Sequence, residues 1–115
     1  MVWRIELSVA VERWLLEDLD DRGREQMVPC IDALEEHGPA LGEPLVKRIR
    51  ASKHHNMKEL RSVGGNLRVL FAFDPERKAI LLLGGDKTND WTGWYRRNVP
   101  KAEKLYDKHL KRIAI

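Results

Sequence analysis

A single cysteine, Cys30, stands among the 115 residues. No internal disulfide can form, and a reducing, cytoplasmic setting is the natural inference. Cys30 lies among Val28, Ile31 and Leu34 and reads as a packed small hydrophobe rather than a nucleophile. No apolar run approaches the roughly 20 residues that a membrane helix needs. The opening "MVWRIELSV" lacks the long apolar stretch of a signal peptide, so export is not expected. Repeats, low-complexity segments and linkers are also missing, which leaves one domain over residues 1–115. Gly84-Gly85 precedes Asp86, but the Gly-Lys-Ser/Thr ending of a phosphate loop is absent. Adjacent histidines such as His54-His55 rarely share a metal, and His37 and His109 sit in other elements. Neither a metal nor another cofactor is expected.

What is present is charge, unevenly spread. Residues 1–46 hold four basic and eleven acidic residues, net −7; residues 47–115 hold seventeen basic and seven acidic, net +10. Charge runs are commonly just solvated surface. Here the bases cluster with turns, histidines and aromatics, and such a face attracts polyanions. A nucleic-acid partner is the expectation.

"VWRIEL" alternates, with Trp3, Ile5 and Leu7 on one side and Val2, Arg4 and Glu6 on the other, as a half-buried strand does. Ser8 suits a helix N-cap, and Val11, Trp14, Leu15 and Leu19 follow at helical spacing. "DDRG" interrupts. A second helix carries Met27, Cys30, Ile31 and Leu34 on one face and stops at Gly38-Pro39. Pro29 predicts a kink or a start near Val28. "ALGEPLV" reads as a loop and is followed by a basic stretch from Lys47 to Lys58. Three strands then follow, "MKELRS", "LRVLFAF" and "KAILLLGGDK", joined by turns at "VGGN" and "DPER". A final helix opens at Pro100, with Ala102, Leu105, Tyr106, His109 and Ile113 along one side. The class is α+β: an N-terminal strand, a two-helix hairpin, a three-stranded antiparallel sheet and a C-terminal helix.

A turn centred on Gly64-Gly65 sets Arg61 opposite Arg68. Alternation puts Leu67, Val69, Phe71 and Phe73 on one face and Arg68, Leu70 and Ala72 on the other. The next turn sets Arg68 opposite Leu83, with Lys87 on the same face. Glu59 joins Arg61 there. Like charges directly across a strand pair repel. Either Glu59 or a bound phosphate would relieve them.

"KELR", "LRVLFAFDPERKAILLLGGDK" and "WYRRNVPKAEKLYDKHL" closely resemble the RelE/ParE toxin superfamily, nearest its HigB-like, phage-derived host-killing branch. The resemblance covers nearly the whole chain and implies a RelE-like fold and the toxin of a type II toxin–antitoxin system. RelE- and HigB-like members are metal-free endoribonucleases that cut messenger RNA in the ribosomal A site. ParE-like members share the fold and inhibit DNA gyrase without cutting nucleic acid, which is the alternative. The implied partners are the ribosome, messenger RNA and a cognate antitoxin of helix-turn-helix type.

By the same resemblance Arg68 matches the arginine that contacts the scissile phosphate, and Lys87 the basic residue where the last strand ends. Lys53, His54, His55 and Lys58 match the basic loop before the hairpin. The aromatic that stacks on the base or donates a proton has three candidates, Trp91, Trp94 and Tyr95. RNA cleavage needs a base for the ribose 2′-hydroxyl, positive charge on phosphorus and help for the leaving oxygen. Arginine suits the charge role, so Arg68 leads, with Arg61 and Lys87 in support. His54, His55 or Glu59 suits the base role, as does Lys58 if burial and nearby cations depress its pKa. Arg96 joins Lys53, His54, Arg61 and the aromatics as an RNA-binding candidate. Trp91 and Trp94 would equally pin the last helix to the sheet, and Tyr106 fits the core.

Overall fold

The computed structural model describes residues 3–114, so Val2 lies outside it. Strand β1 (Arg4–Leu7) leads into α1 (Val9–Arg13), which runs on as a π-helical turn over Trp14–Asp18. Helix α2 (Asp21–His37) follows. Then come β2 (Val46–Arg48), β3 (Met57–Arg61), β4 (Leu67–Phe73), β5 (Lys78–Asp86) and α3 (Trp91–Ile113). The strands form one sheet in the order β1-β5-β4-β3-β2. β1 runs parallel to β5 and the other pairs are antiparallel.

Local chemistry sets the helix starts. The Ser8 hydroxyl accepts from the Val11 NH at 3.0 Å and donates to the Leu82 carbonyl at 2.7 Å, tying α1 to β5. Asp20 accepts from the Gly23 NH at 2.8 Å. "DDRG" is therefore a cap and first turn, not a break. Pro29 stays inside α2, although an interior proline costs about 3 kcal/mol. Burial of Met27, Cys30 and Leu34 on the same helix offsets it. Cys30 packs against the hairpin with its thiol 3.3 Å from the Arg61 carbonyl, and burial pushes that thiol up from its ordinary pKa. Outward residues such as Glu12, Glu17, Asp32 and Glu36 carry the negative half.

The alternation of β4 separates two cores. Val69 and Phe71 join Val11, Trp14, Met27 and Leu34 on the α1/α2 face. Leu70 and Ala72 join Met57, Trp94, Val99, Ala102 and Tyr106 on the α3 face. β5 is lined by neighbours on both sides and buried on both faces, as its apolar run predicts. Its two glycines admit an indole on each face. A Cβ on Gly84 would run into the Trp14 ring, and one on Gly85 would lie 2.6 Å from Nε1 of Trp94.

Three expectations are corrected. The segment read as loop and basic stretch contains an edge strand, β2, because Val46 reaches the core while Lys47 and Arg48 stay outside. Three residues are too short a run for alternation to announce. Helix α3 starts at Trp91 rather than Pro100, which sits in its interior. Packing of Trp94 and Val99 on the sheet overrides the weak helix propensity of this stretch. Arg68 faces Gly85, not Leu83. Phe73 pairs with Ala79, and a bulge opposite Leu70/Phe71 advances β5 by one further residue. Beyond the bulge the total shift is even, so Leu83 and Gly85 keep the Arg68 face expected for them.

On the α3 face, His109 Nε2 meets Asp74 Oδ2 at 2.7 Å, with both residues buried. Burial alone would raise the Asp74 pKa. The contact with His109 and the NH groups of Lys78 and Glu76 outweigh burial and leave it below the usual carboxylate range. Removing one partner of a buried hydrogen bond to a carboxylate leaves the other unsatisfied. Asp74→Ala is therefore expected to lower unfolding free energy by about 2–3 kcal/mol, read by urea denaturation near neutral pH. Because the folded pKa is depressed, the stabilisation is present above the unfolded value of about 3.9 and is lost as pH falls through the folded value. Asp74→Ala should flatten that acid loss.

Candidate active site

The β3–β4 hairpin supplies the centre of the site. Glu59 and Arg61 project from β3 to the α3 face, and Arg68 projects beside them from β4 with Arg61↔Arg68 in register. Glu59 Oε1 lies 3.5 Å from Arg61 Nε and 3.7 Å from Arg68 Nε. The carboxylate thus separates the paired arginines. Arg68 is only 3 % exposed, and its Nη1 donates to the carbonyls of Gly65 at 3.1 Å and Leu67 at 2.9 Å. Its buried Nε has no hydrogen-bond acceptor within reach.

Lys87 follows β5 and is 4 % exposed. Its ammonium lies 3.7 Å from the centre of the Trp91 ring and 5.3 Å from that of Tyr95, both on the first turns of α3. Burial, then the nearby Arg68 charge, holds Lys87 below the ordinary lysine pKa. The Tyr95 hydroxyl sits beside Glu59 and Arg68. Burial, then the Glu59 anion, pushes its pKa up to about 12. It is a neutral donor at physiological pH.

Over this cluster lies a groove of about 1030 Å³ between the β2 edge and α3. Glu59 forms part of its floor. Lys47, Arg48, Arg50, Arg61, Lys87 and Arg96 supply positive charge around it, and Trp91 and Tyr95 close one side. Six cations against the carboxylates of Glu59 and Glu103 make it an anion-binding surface. Lys47, directly across from Glu59 on β2, and Arg50 beyond it were not singled out from sequence. Their signal was the basic stretch itself; without β2, nothing showed which of its residues faced α3.

The structure gathers Glu59, Arg61, Arg68 and Lys87, the four expected on one sheet face, and adds Trp91, Tyr95 and Arg96 from the RNA-binding candidates, while it disperses the rest. Lys58 projects to the opposite sheet face, its ammonium 5.5 Å from the Phe73 ring centre. The depressed lysine is Lys87 instead. Lys53 and His54 are fastened to α3, each 2.8 Å from an Asp107 oxygen. The Lys53 NH and the Ser52 hydroxyl also donate to Glu103, at 2.6 and 2.8 Å. These bonds anchor a loop rather than leave the bases free. His55 is exposed outside the groove. Of the two tryptophans, Trp94 is core, laid on Gly85, and Trp91 is 58 % exposed.

A hairpin-centred sheet with helices on both faces is a fold shared with solved RelE-like toxins. The same fold appears in the toxin–antitoxin complex RelBE2 of Mycobacterium tuberculosis (TM-score 0.57, 17 % identity, 75 % of this chain and 99 % of that one). A double mutant of the E. coli toxin RelE in its free state matches as well (TM-score 0.56, 16 % identity, 99 % and 100 %). Residues 14–107 match the phage-derived Gp49-like proteins, and the chain belongs to that family. It is 50 % identical to the putative toxin HigB3 of Mycobacterium tuberculosis over 87 % of each chain. It is 47 % identical to putative toxin HigB2 of the same organism over 87 % of this chain, spanning about half (51 %) of that protein's length. The chain is thus a HigB-like member of the Gp49-like family, with a RelE-like fold.

The buried ammonium has a thermodynamic signature. Folded Lys87 loses its proton at lower pH than the unfolded residue, whose value is about 10.4. Between the two values the unfolded chain binds more protons, so this group makes stability rise with pH. Urea unfolding at several pH values from about 8 to about 10 should show Lys87→Met losing that increment. A slope identical to that of the parent would mean the ammonium is solvated.

Proposed function

We propose that the chain is the toxin of a type II toxin–antitoxin pair and acts as a metal-free endoribonuclease on messenger RNA in the ribosome. The observation carrying this reading is Glu59, a carboxylate on the floor of a groove otherwise rich in cations, with the Tyr95 hydroxyl beside it. That arrangement offers a base, an acid and positive charge within one small space.

In this reading Glu59 takes the proton of the ribose 2′-hydroxyl. The 2′-oxygen attacks phosphorus, the bond from phosphorus to the 5′-oxygen breaks, and Tyr95 protonates the departing oxygen. The products are a 2′,3′-cyclic phosphate and a 5′-hydroxyl. Glu59 then returns its proton to Tyr95, the more basic of the two. Arg61 and Lys87 hold the charge that builds on the phosphoryl oxygens, commonly the largest catalytic contribution. Trp91 offers a face for a base. The RelBE2 likeness supports a cognate antitoxin as protein partner.

A cell-free translation reaction with a defined message, with RNA 5′ ends mapped, tests this. Cuts that need ribosomes are expected, weakened by roughly 10²–10⁴-fold in Glu59→Gln, with a cooperative urea transition of that variant showing that the loss is not one of fold. Intact RNA with normal translation sinks the reading, and inhibition of gyrase supercoiling would then install the ParE-like one. The rate should also fall at alkaline pH as Lys87 loses its proton, earlier than for an ordinary lysine. Lys87→Arg should move that fall upward, since guanidinium stays charged.

A further inference from the structure

We propose that residues 50–55 form a strap that opens as a unit while the sheet and α3 stay folded, with Glu103 and Asp107 of α3 as its clasp. The strap joins β2 to β3, and both of its roots are fixed. Ile49 is buried in the α3-face core, and its NH donates to the Met57 carbonyl at 2.9 Å. The Asn56 amide donates to the Phe73 carbonyl at 3.0 Å and to the Tyr106 hydroxyl at 3.2 Å. Between these roots no residue is buried. Among the described residues the strap bonds other backbone only next to the roots, through Ser52 NH to the Ile49 carbonyl and Met57 NH to the His54 carbonyl.

Two carboxylates hold the strap down. Glu103 accepts from the Ser52 hydroxyl at 2.8 Å and from the Lys53 NH at 2.6 Å. Asp107 meets Lys53 Nζ and His54 Nε2, each at 2.8 Å. The two acids are one turn apart on α3 and therefore share a face. The His54 ring adds an edge contact with Tyr106, their centres 4.9 Å apart. The clasp is wet: the Lys53 side chain is 59 % exposed and that of Asp107 36 %. Ion pairs at such exposure stabilise little, and salt screens them. A segment with no buried residue, held by exposed polar contacts, lies at the low end of local stability and opens before the sheet does. Opening changes the groove. Its α3 wall runs from Trp91 to Glu103, and Arg50 and Ala51 line the wall opposite. At Glu103 the strap crosses to the helix and closes that end. The length of the groove is thus set by two acidic side chains outside the Glu59 cluster. Strap opening is a property of the chain itself and holds with or without nuclease activity.

Amide hydrogen exchange, followed by NMR on the intact chain, tests this. The NH groups of Lys53 and His54 should exchange through one shared opening, well before that of Ile49 at the root. Asp107→Ala should accelerate both by about fivefold or more, although the Lys53 NH keeps its acceptor Glu103. Glu103→Ala should accelerate the His54 NH likewise, although its acceptor is the Ser52 hydroxyl within the strap. The Ile49 NH should keep its parental rate in both variants. The urea midpoint should stay near the parental one, since alanine is favoured in a helix. A second arm needs no variant: raising salt to about 1 M, where the screening length is about 3 Å, should accelerate Lys53 and His54 in the parent and leave Ile49 alone. Acceleration confined to the NH whose own acceptor is removed overturns the proposal. So does equal acceleration of Ile49, which would make the strap part of the unfolding of the sheet, or a parent whose strap amides ignore salt.

Discussion

Two arginines directly across neighbouring strands repel, and the hairpin that presents them holds because Glu59 lies between them. Arg68 is nearly inaccessible and its Nε lacks a full hydrogen-bond partner. An uncompensated guanidinium at that depth would cost several kcal/mol, so the carboxylate is a condition of the fold as well as a feature of the site. Everything around it follows. Lys47 can stand across from Glu59 because the negative charge is there, and Lys87 can be buried nearby although Arg68 disfavours its proton.

The division of charge along the chain becomes a division of faces. The acidic residues of α1 and α2 look out from one side of the sheet, while β2, the hairpin and α3 gather cations on the other. A low-dielectric wall of aromatic and aliphatic side chains beneath clustered cations strengthens their field in the groove. Lys87 shows this directly: its ammonium is desolvated on the Trp91 ring, and its pKa falls.

Much of this was legible in the sequence. The Gly-Gly turn fixed Arg61 against Arg68, and period-two alternation assigned β4 to two cores and put Glu59 and Lys87 on the arginine face. The stripe on α3 and the core role of Tyr106 also follow from periodicity. What escaped depends on contacts distant in the chain. Edge strand β2 is visible only once β3 is beside it. The bulge in β5 has no marker in "AILLLGG". The first turns of α3 contain Gly93 and a later proline, and they are helical because Trp94 and Val99 bury against the sheet. Lys53 and His54 look like free bases until Asp107, more than fifty residues away, closes on them. Burial of Arg68 was the largest omission, since no local pattern reveals how α3 covers it.

Gly85 joins the packing of the molecule to its chemistry. It is the register partner of Arg68, and it is also the floor on which Trp94 lies. With no side chain there, the helix descends onto the sheet, bringing Tyr95 beside Glu59 and, on the same first turn, Trp91 over Lys87. A larger residue at 85 would lift Trp94 first, since the indole nitrogen already lies 2.6 Å from where a Cβ would sit. Lifting it would expose Arg68 and rehydrate Lys87 together. The approach of α3 to the sheet, and with it the burial of Lys87 against Trp91, therefore depends on the absence of a methyl group on a neighbouring strand.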